Sequence, residues 1–182
     1  MFFIYVNLWF THQAHLGDIL VPGHMTKAYY WKTFLTYEKN QDYLKLLDTD
    51  EYFEGIRHDI KPLHFSKEKV SLNDLENQSF FKRIPINSSS KWLRIGADFT
   101  LEEKEWSVWK MTKMIVRFKN KGKTIKENMI KIQRHIDRYK TKEIFIDVNK
   151  PIGDFDEIEV QIINNNKFKN VLIEDLYIET YD

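Results

Sequence analysis

The chain has 182 residues, of which 42% are hydrophobic and 15% aromatic; this is enough apolar surface for a packed domain and excludes wholesale disorder. Its 28 basic and 27 acidic residues leave a formal net charge of +1, which provides no long-range positive field to recruit nucleic acid, so no nucleic-acid partner is predicted. Cysteine is absent, which excludes disulfides, thiolate metal sites and a cysteine nucleophile.

The first 60 residues are rich in aromatic side chains and predict a small helical lead-in. Residues 1–10 are apolar, but a membrane-spanning helix needs about 20 such residues, and the basic start and cleavage site of a signal peptide are missing. This run fits a buried strand or helix, or the end of a longer membrane segment. We favour the membrane segment, because a family resemblance described below points the same way.

Two helices are predicted after this run. The first covers 25–35 with Thr26 as its N-cap, and the second covers 41–47. In the first helix, large apolar side chains recur at helical spacing on one side: Tyr30, Trp31, Phe34 and Leu35. Gly55 and Pro62 then mark a connector.

From Phe80 the hydrophobic pattern changes to a period of two, which predicts strands. The run 92–101 is the clearest case, and its apolar side chains share one face: Leu93, Ile95, Ala97, Phe99 and Leu101. Similar runs are centred on Val116, Ile146 and Val160, and the last occupies 171–181. The segment 126–138 fits either a strand or a helix.

Closely spaced turn signals, such as the run 120–123, separate these strands without intervening helices. This arrangement is typical of an antiparallel β-sandwich or jelly roll. The predicted fold class is therefore mainly β, with a helical lead-in over 1–60 and a sandwich domain over 75–182.

Tryptophans near the predicted strands are the main candidates for ligand binding. Sugar rings stack on flat aromatic faces, so Trp106, Trp109 and Trp92 are predicted to hold a glycan. Asp98 and Arg94 would hydrogen-bond its hydroxyl groups. The opposite interpretation stays open, because tryptophan is often largely buried in a core.

The acidic run just before Trp106 raises the question of catalysis. Glycoside hydrolysis needs two carboxyl groups facing each other across a sugar. Glu102, Glu103 and Glu105 are instead clustered on one short segment, which equally fits an exposed loop between strands. No catalytic residue is assigned, and a non-catalytic module is predicted.

Metal binding has two weak candidates. His12 and His15 are three residues apart, but no acidic third ligand is spaced to match, and histidines at the surface or packed among aromatic rings explain them better. Glu174 and Asp175 interrupt an apolar strand, which indicates a bulge, a partnered carboxylate or a calcium ligand. No cofactor is predicted, and a structural calcium ion is left as an alternative.

Two parts of the chain resemble known families. Residues 7–13 (NLWFTHQ), 17–20 (GDIL) and 25–34 (MTKAYYWKTF) resemble the segment after the last membrane span of bacterial polytopic glycosyltransferase-like proteins, similar to the dolichyl-phosphate-mannose mannosyltransferase group. Residues 75–182, ending in the strand that begins VLIEDL at 171, are similar to the galactose-binding-like jelly roll found as an accessory module in bacterial glycan enzymes.

The resemblance implies an extracytoplasmic, C-terminal region of a membrane protein, at the periplasmic face of the bacterial cytoplasmic membrane. The family's catalytic acid lies in an early loop that has no counterpart in this chain, so no catalytic role is carried over. The implied function is an accessory module that binds glycan or positions a lipid-linked sugar, with residues 1–35 contacting the membrane or a membrane protein. The alternative is a structural domain that binds protein through its aromatic lead-in and has no sugar ligand.

Overall fold

A computed structural model of the chain describes residues 2–15, 19, 25–76, 79–85, 89–103, 105, 107–166 and 168–182. The chain divides into two compact units, residues 1–51 and residues 52–182. Among the described residues, none of the helices combines the length and apolar character needed to cross a bilayer.

The described part of the first unit forms two α-helices and one 3₁₀ helix: α1 (Phe2–His15), α2 (Lys27–Thr33) and Gln41–Leu47. Thr26 caps α2 as predicted, since its Oγ1 accepts a hydrogen bond from the Tyr29 backbone N–H at 3.1 Å.

The burial of α2 differs from the sequence expectation. The residues buried along α2 are Tyr29 and Thr33, whereas Trp31 is 60% exposed. The reason is hydrogen bonding: Tyr29 Oη donates to the Ile19 carbonyl at 2.7 Å, and Gln13 Nε2 donates to the Thr33 carbonyl at 2.9 Å. Polar atoms that pair inside the unit thus decide which side of α2 is buried.

The second unit is the predicted antiparallel β-sandwich. Its strands are β1 (Lys61–Ser66), β2 (Val70–Ser71), β3 (Ser79–Pro85), β4 (Trp92–Leu101), β5 (Lys113–Asn120), β6 (Lys123–Lys131), β7 (Thr141–Asn149), β8 (Glu157–Ile163) and β9 (Val171–Tyr181). The front sheet has the order β1-β9-β4-β7, with β2 also paired to β9, and the back sheet has the order β3-β8-β5-β6. Apart from the short β2 and the β5–β6 hairpin, successive strands alternate between the sheets, which makes the fold a jelly roll.

The core lies between the two sheets and is built by alternation along each strand. Leu93, Ile95 and Phe99 of β4 are fully buried, as are Val116 of β5 and Ile146 of β7. These inward positions are the ones that the period-two pattern predicts.

The segment 126–138, for which a strand and a helix were both open, begins as a strand and forms no α-helix. β6 pairs with β5 as far as Lys131, and only Ile132–Arg134 forms a 3₁₀ turn. Ile130 and Ile132 are both fully buried in the core. Pairing with β5 therefore outweighs the local helical spacing of this segment.

The connector predicted around Pro62 is wrong in one respect, because Lys61–Ser66 forms β1 and pairs with β9. Proline is tolerated there because β1 is an edge strand, where an N–H group is not needed on the open side.

The acidic interruption of the last strand is a β-bulge. The register between β4 and β9 shifts between Gly96 and Asp98, and Asp175 has a left-handed φ of 51°. The Glu174 carboxylate lies 2.5 Å from Lys69 Nζ, so it is also partnered. Among the described residues, no group of three or more candidate side chains is arranged to hold a metal ion.

A ladder of alternating charge crosses the outer face of the back sheet. Arg83 lies opposite Glu159, Glu159 lies opposite Arg117, and Arg117 lies opposite Glu127. The corresponding N–O distances are 3.0, 3.1 and 2.6 Å, and Lys119 Nζ adds a contact of 2.6 Å to Glu159. Burial alone would raise the pKa of Glu159, but hydrogen bonds from these three cations outweigh it and lower the pKa below its ordinary value.

The ladder predicts acid sensitivity. The pKa of Glu159 is lower in the folded than in the unfolded chain, so its stabilisation is fully present above the ordinary glutamate pKa of about 4.3 and is lost as the pH falls through the folded value. Urea unfolding between about pH 6 and pH 3 should show this loss, and Glu159→Gln should flatten it. Asp137→Asn removes an exposed carboxylate and should keep the wild-type slope; equal flattening by both variants would contradict this assignment.

Candidate functional site

A row of aromatic side chains crosses the outer face of the front sheet. In the strand register Phe65 of β1 lies opposite Tyr177 of β9, Tyr177 lies opposite Gly96 of β4, and Gly96 lies opposite Phe145 of β7. Residues opposite each other in register share one face of a sheet. Neighbouring strands are about 4.8 Å apart, so the row spans three strand spacings, about 14 Å.

Gly96 allows the Tyr177 ring to lie across the middle of this row. A Cβ atom at position 96 would lie 2.5 Å from both Cζ and Oη of Tyr177. Glycine is therefore needed for the close approach of the ring to the β4 backbone.

The far end of the Tyr177 ring is fixed by a hydrogen bond. Its Oη donates to Oε1 of Glu143 at 2.5 Å. Burial and the neighbouring Glu143 both raise the pKa of Tyr177, so the phenol stays protonated and acts as the donor. The ring is thus held between a glycine on one strand and a carboxylate on the next.

Arg94 is fixed against Phe145. Its guanidinium carbon lies 3.7 Å from the centre of the Phe145 ring, a cation–π contact. Its Nε and Nη2 donate to the two carboxylate oxygens of Asp147 at 2.7 and 3.0 Å. Asp147 is 1% exposed and also accepts a hydrogen bond of 2.8 Å from Tyr181 Oη. The bidentate pair leaves Nη1 of Arg94 outside the contact with Asp147.

A groove of about 450 Å³ runs over this face. Its volume lies in the range of small-molecule sites, roughly 300–1,000 Å³. Its lining combines aromatic rings with donors and acceptors: Arg57, Pro62, His64, Phe65, Arg94, Glu143, Phe145, Tyr177, Ile178 and Glu179. Arg57 forms an ion pair with Glu179 at its rim. This arrangement suits a ligand with a flat apolar surface and hydroxyl groups along its edges.

The structure brings some of the sequence-predicted residues to this face. Arg94 lines the groove, and Asp98 projects from the same side of β4, opposite Glu143. Burial and the carboxylates of Asp175, Glu143 and Glu174 raise the pKa of Asp98.

Trp92 also lies on β4, but other side chains cover it. Its ring packs edge-on against Phe53 at a centroid distance of 5.5 Å, and Phe53 also contacts Tyr181 at 4.8 Å. Trp92 is half-buried and does not belong to the groove lining.

The β4–β5 loop carries the other two tryptophans. Trp109 is 78% exposed and is not among the groove-lining residues, whereas Trp106 lies outside the described residues. Glu105 of this loop is buried and accepts hydrogen bonds from the Ser107 backbone N–H, at 2.7 Å, and from Asn166 Nδ2. Burial alone would raise the pKa of Glu105, but these two bonds lower it. Its carboxylate therefore holds two loops together.

Sequence reasoning missed the aromatic row itself. Phe65, Phe145 and Tyr177 are separated by long stretches of sequence, and no local motif connects them. The one available signal is Gly96, a glycine in the middle of an otherwise clear strand, which indicates a close approach by another group.

The predicted histidine pair is consistent with aromatic packing where it is described. The His12 ring lies 4.6 Å from that of Tyr37 and 6.4 Å from that of Trp9. The side chain of His15 lies outside the described residues.

No family model and no curated protein matches this chain. Similar solved structures include the enzymatically active domain of tailspike protein 4 from bacteriophage CBA120, at 11% identity and a TM-score of 0.42, over 68% of this chain and 19% of that one. They also include a family 16 carbohydrate-binding module-2, at 9% identity and a TM-score of 0.38, over 62% of this chain and 70% of that one. A third is dimeric latent PorU from Porphyromonas gingivalis, at 10% identity and a TM-score of 0.40, over 69% of this chain and 13% of that one.

The chain spans about a fifth of the tailspike chain that it resembles. At these identities and TM-scores, no ligand or activity carries over to this chain.

Proposed function

We propose that the chain is a carbohydrate-binding module and that the front-sheet groove is its binding site. The observation that carries this proposal is the aromatic row of Phe65, Tyr177 and Phe145, which lies in a groove with charged groups at its rim. A pyranose ring has an apolar C–H face and polar edges, so it can stack on such rings while its hydroxyl groups meet the rim.

Preorganisation supports the proposal. Tyr177 is held by Gly96 and Glu143, and Arg94 is held by Phe145 and Asp147. Side chains that are already fixed lose little conformational entropy when a ligand binds.

The rim offers both donors and acceptors. Arg57 and Glu179 lie on one side of the aromatic row and Glu143 on the other. A carboxylate accepts hydrogen bonds from sugar hydroxyl groups and a guanidinium donates to them. A rim that has both groups can therefore bind two neighbouring hydroxyl groups of one sugar ring.

The proposed setting is that of an accessory module of a glycosyltransferase-like protein, at the periplasmic face of a bacterial cytoplasmic membrane, where the groove would hold a glycan or a lipid-linked sugar. The helix α1 supports a contact with a membrane or a membrane protein: Phe2–His15 contains no charged Asp, Glu, Lys or Arg, and Phe3 and Leu8 are well exposed. The same exposed side chains support the alternative, a domain that binds another protein through its lead-in. A separate prediction is that Trp106 and Trp109, between β4 and β5, provide a second surface on which a sugar ring stacks.

A matched pair of phenylalanine variants tests the proposed site. Phe65 lies on a front-sheet strand and is 54% exposed, whereas Phe81 lies on a back-sheet strand and is 52% exposed. Phe65→Ala should lower affinity for a bound polysaccharide about tenfold because it removes one end of the aromatic row, and Phe81→Ala should leave affinity unchanged. Affinity electrophoresis against a polysaccharide panel, followed by calorimetry, measures both.

Three results would contradict the proposal. The first is no binding of the wild-type chain to any glycan in the panel. The second is an equal loss of affinity in the two variants. The third is full affinity in Phe65→Ala.

A further inference from the structure

We infer that the groove selects uncharged glycan chains and disfavours glycans that carry carboxylate or sulfate groups. This inference rests on the proposed carbohydrate-binding function and adds the chemical class of the ligand. It follows from how the charges in and around the groove are paired, together with the length of the aromatic row.

The cations that line the groove already face carboxylates. Arg57 forms an ion pair with Glu179, and Arg94 binds Asp147 through two parallel hydrogen bonds. The charge of each guanidinium is already balanced by a carboxylate, so an anionic sugar would gain little net attraction from it. A neutral hydroxyl group can accept from the remaining N–H groups without breaking either pair.

His64, which also lines the groove, adds no positive charge. Burial is the main cause that lowers the pKa of His64, and the nearby Lys82 lowers it further. The imidazole is therefore neutral at neutral pH. Among the described lining residues, positive charge therefore comes from the two paired arginines.

Negative charge gathers along one side of the aromatic row. Asp98 lies opposite Glu143 on one side and opposite Glu174 on the other, and Asp175 forms the adjoining bulge. Burial and, after it, these neighbouring carboxylates raise the pKa of Asp98. Lys69 offsets part of this charge through its contact with Glu174. An anionic glycan lying along the row would meet repulsion here, because like charges in proximity are unfavourable.

The shape of the site points to a chain rather than a single sugar. The row from Phe65 to Phe145 covers about three strand spacings, roughly 14 Å, which is longer than one pyranose ring. Glu143 accepts from Tyr177 through Oε1, so its other oxygen is positioned to accept from a sugar hydroxyl group. The ligand class is an uncharged oligosaccharide that lies across the strands.

The test compares neutral glycans with their charged derivatives. The full chain is titrated with neutral oligosaccharides of the gluco, manno and xylo series and with dextran, then with polygalacturonate, alginate and dextran sulfate. Binding that depends on Phe65 should be confined to the neutral set. The sulfated or oxidised derivative of the best neutral ligand should bind at least about tenfold more weakly at moderate salt, since a like-charge contact costs that much or more.

The variant Asp175→Asn tests how much charge repulsion contributes to the selectivity for neutral glycans. Asparagine tolerates the left-handed backbone at this position and removes one charge next to the groove. The variant should keep the affinity for neutral glycans. The ratio of the affinity for neutral glycans to that for anionic glycans should fall about twofold.

Two outcomes separate this inference from the proposed function. Phe65-dependent binding of an anionic glycan, equal to or tighter than that of the neutral ones, would overturn the inference and leave carbohydrate binding in place. Absence of binding to every glycan would overturn both.

Discussion

Replacing Tyr177 by alanine is expected to lower glycan affinity about thirtyfold while the jelly roll stays folded. The ring is the centre of the aromatic row, and its removal exposes the β4 backbone at Gly96 in place of a flat apolar surface. Tyr177 lies on the outer face, so the core between the sheets keeps its contacts. Calorimetric titration measures the affinity, and far-ultraviolet circular dichroism checks the fold.

Two further variants separate the ring from its hydroxyl group. Tyr177→Phe keeps the stacking surface and loses the hydrogen bond to Glu143, so affinity should fall by about fivefold or less. Gly96→Ala introduces a methyl group where the ring now lies, so the outer end of the Tyr177 ring must move away and its hydrogen bond to Glu143 is lost. Its affinity should approach that of Tyr177→Ala, and the double variant should lose no more than either single one. Full affinity in Gly96→Ala would show that the position of the ring is irrelevant to binding.

Replacing Arg94 by methionine is expected to lower the free energy of unfolding by about 3–5 kcal/mol, because it leaves the Asp147 carboxylate buried without its bidentate partner. Urea unfolding at neutral pH measures this loss.

The control for Arg94 is an exposed ion pair. Lys140 Nζ lies 4.0 Å from Asp137, and both side chains are mostly exposed, so Lys140→Ala should change stability by no more than about 0.5 kcal/mol. The double variant Arg94→Met with Asp147→Asn should regain most of the stability lost in Arg94→Met, because no buried charge remains. If Arg94→Met is as mild as the control, the bidentate pair does not stabilise the front sheet.

The sequence predicts the inward side chains of the sandwich well. Alternation in 92–101 places Leu93 in the core and Arg94 and Asp98 outside, and the structure confirms each. Such local patterns survive because a strand with one buried face cannot shift its register by one residue without exposing its core side chains.

The groove depends on which strands become neighbours, and alternation does not encode that. Phe65, Phe145 and Tyr177 meet because β9 inserts between β1 and β4 and because β7 pairs with the other side of β4. The composition directed attention to tryptophans instead. Trp92 is covered because the segment that carries Phe53 packs over the end of the front sheet, a contact with no periodic signal.

A nuclear magnetic resonance titration with a bound neutral oligosaccharide tests the central claim, that the ligand lies on the outer face of the front sheet. The amide signals of Gly96, Phe145 and Tyr177 should shift in proportion to saturation, and those of Phe81 on the back sheet should not. Shifts confined to the loop around Trp109, or to the back sheet, would contradict it.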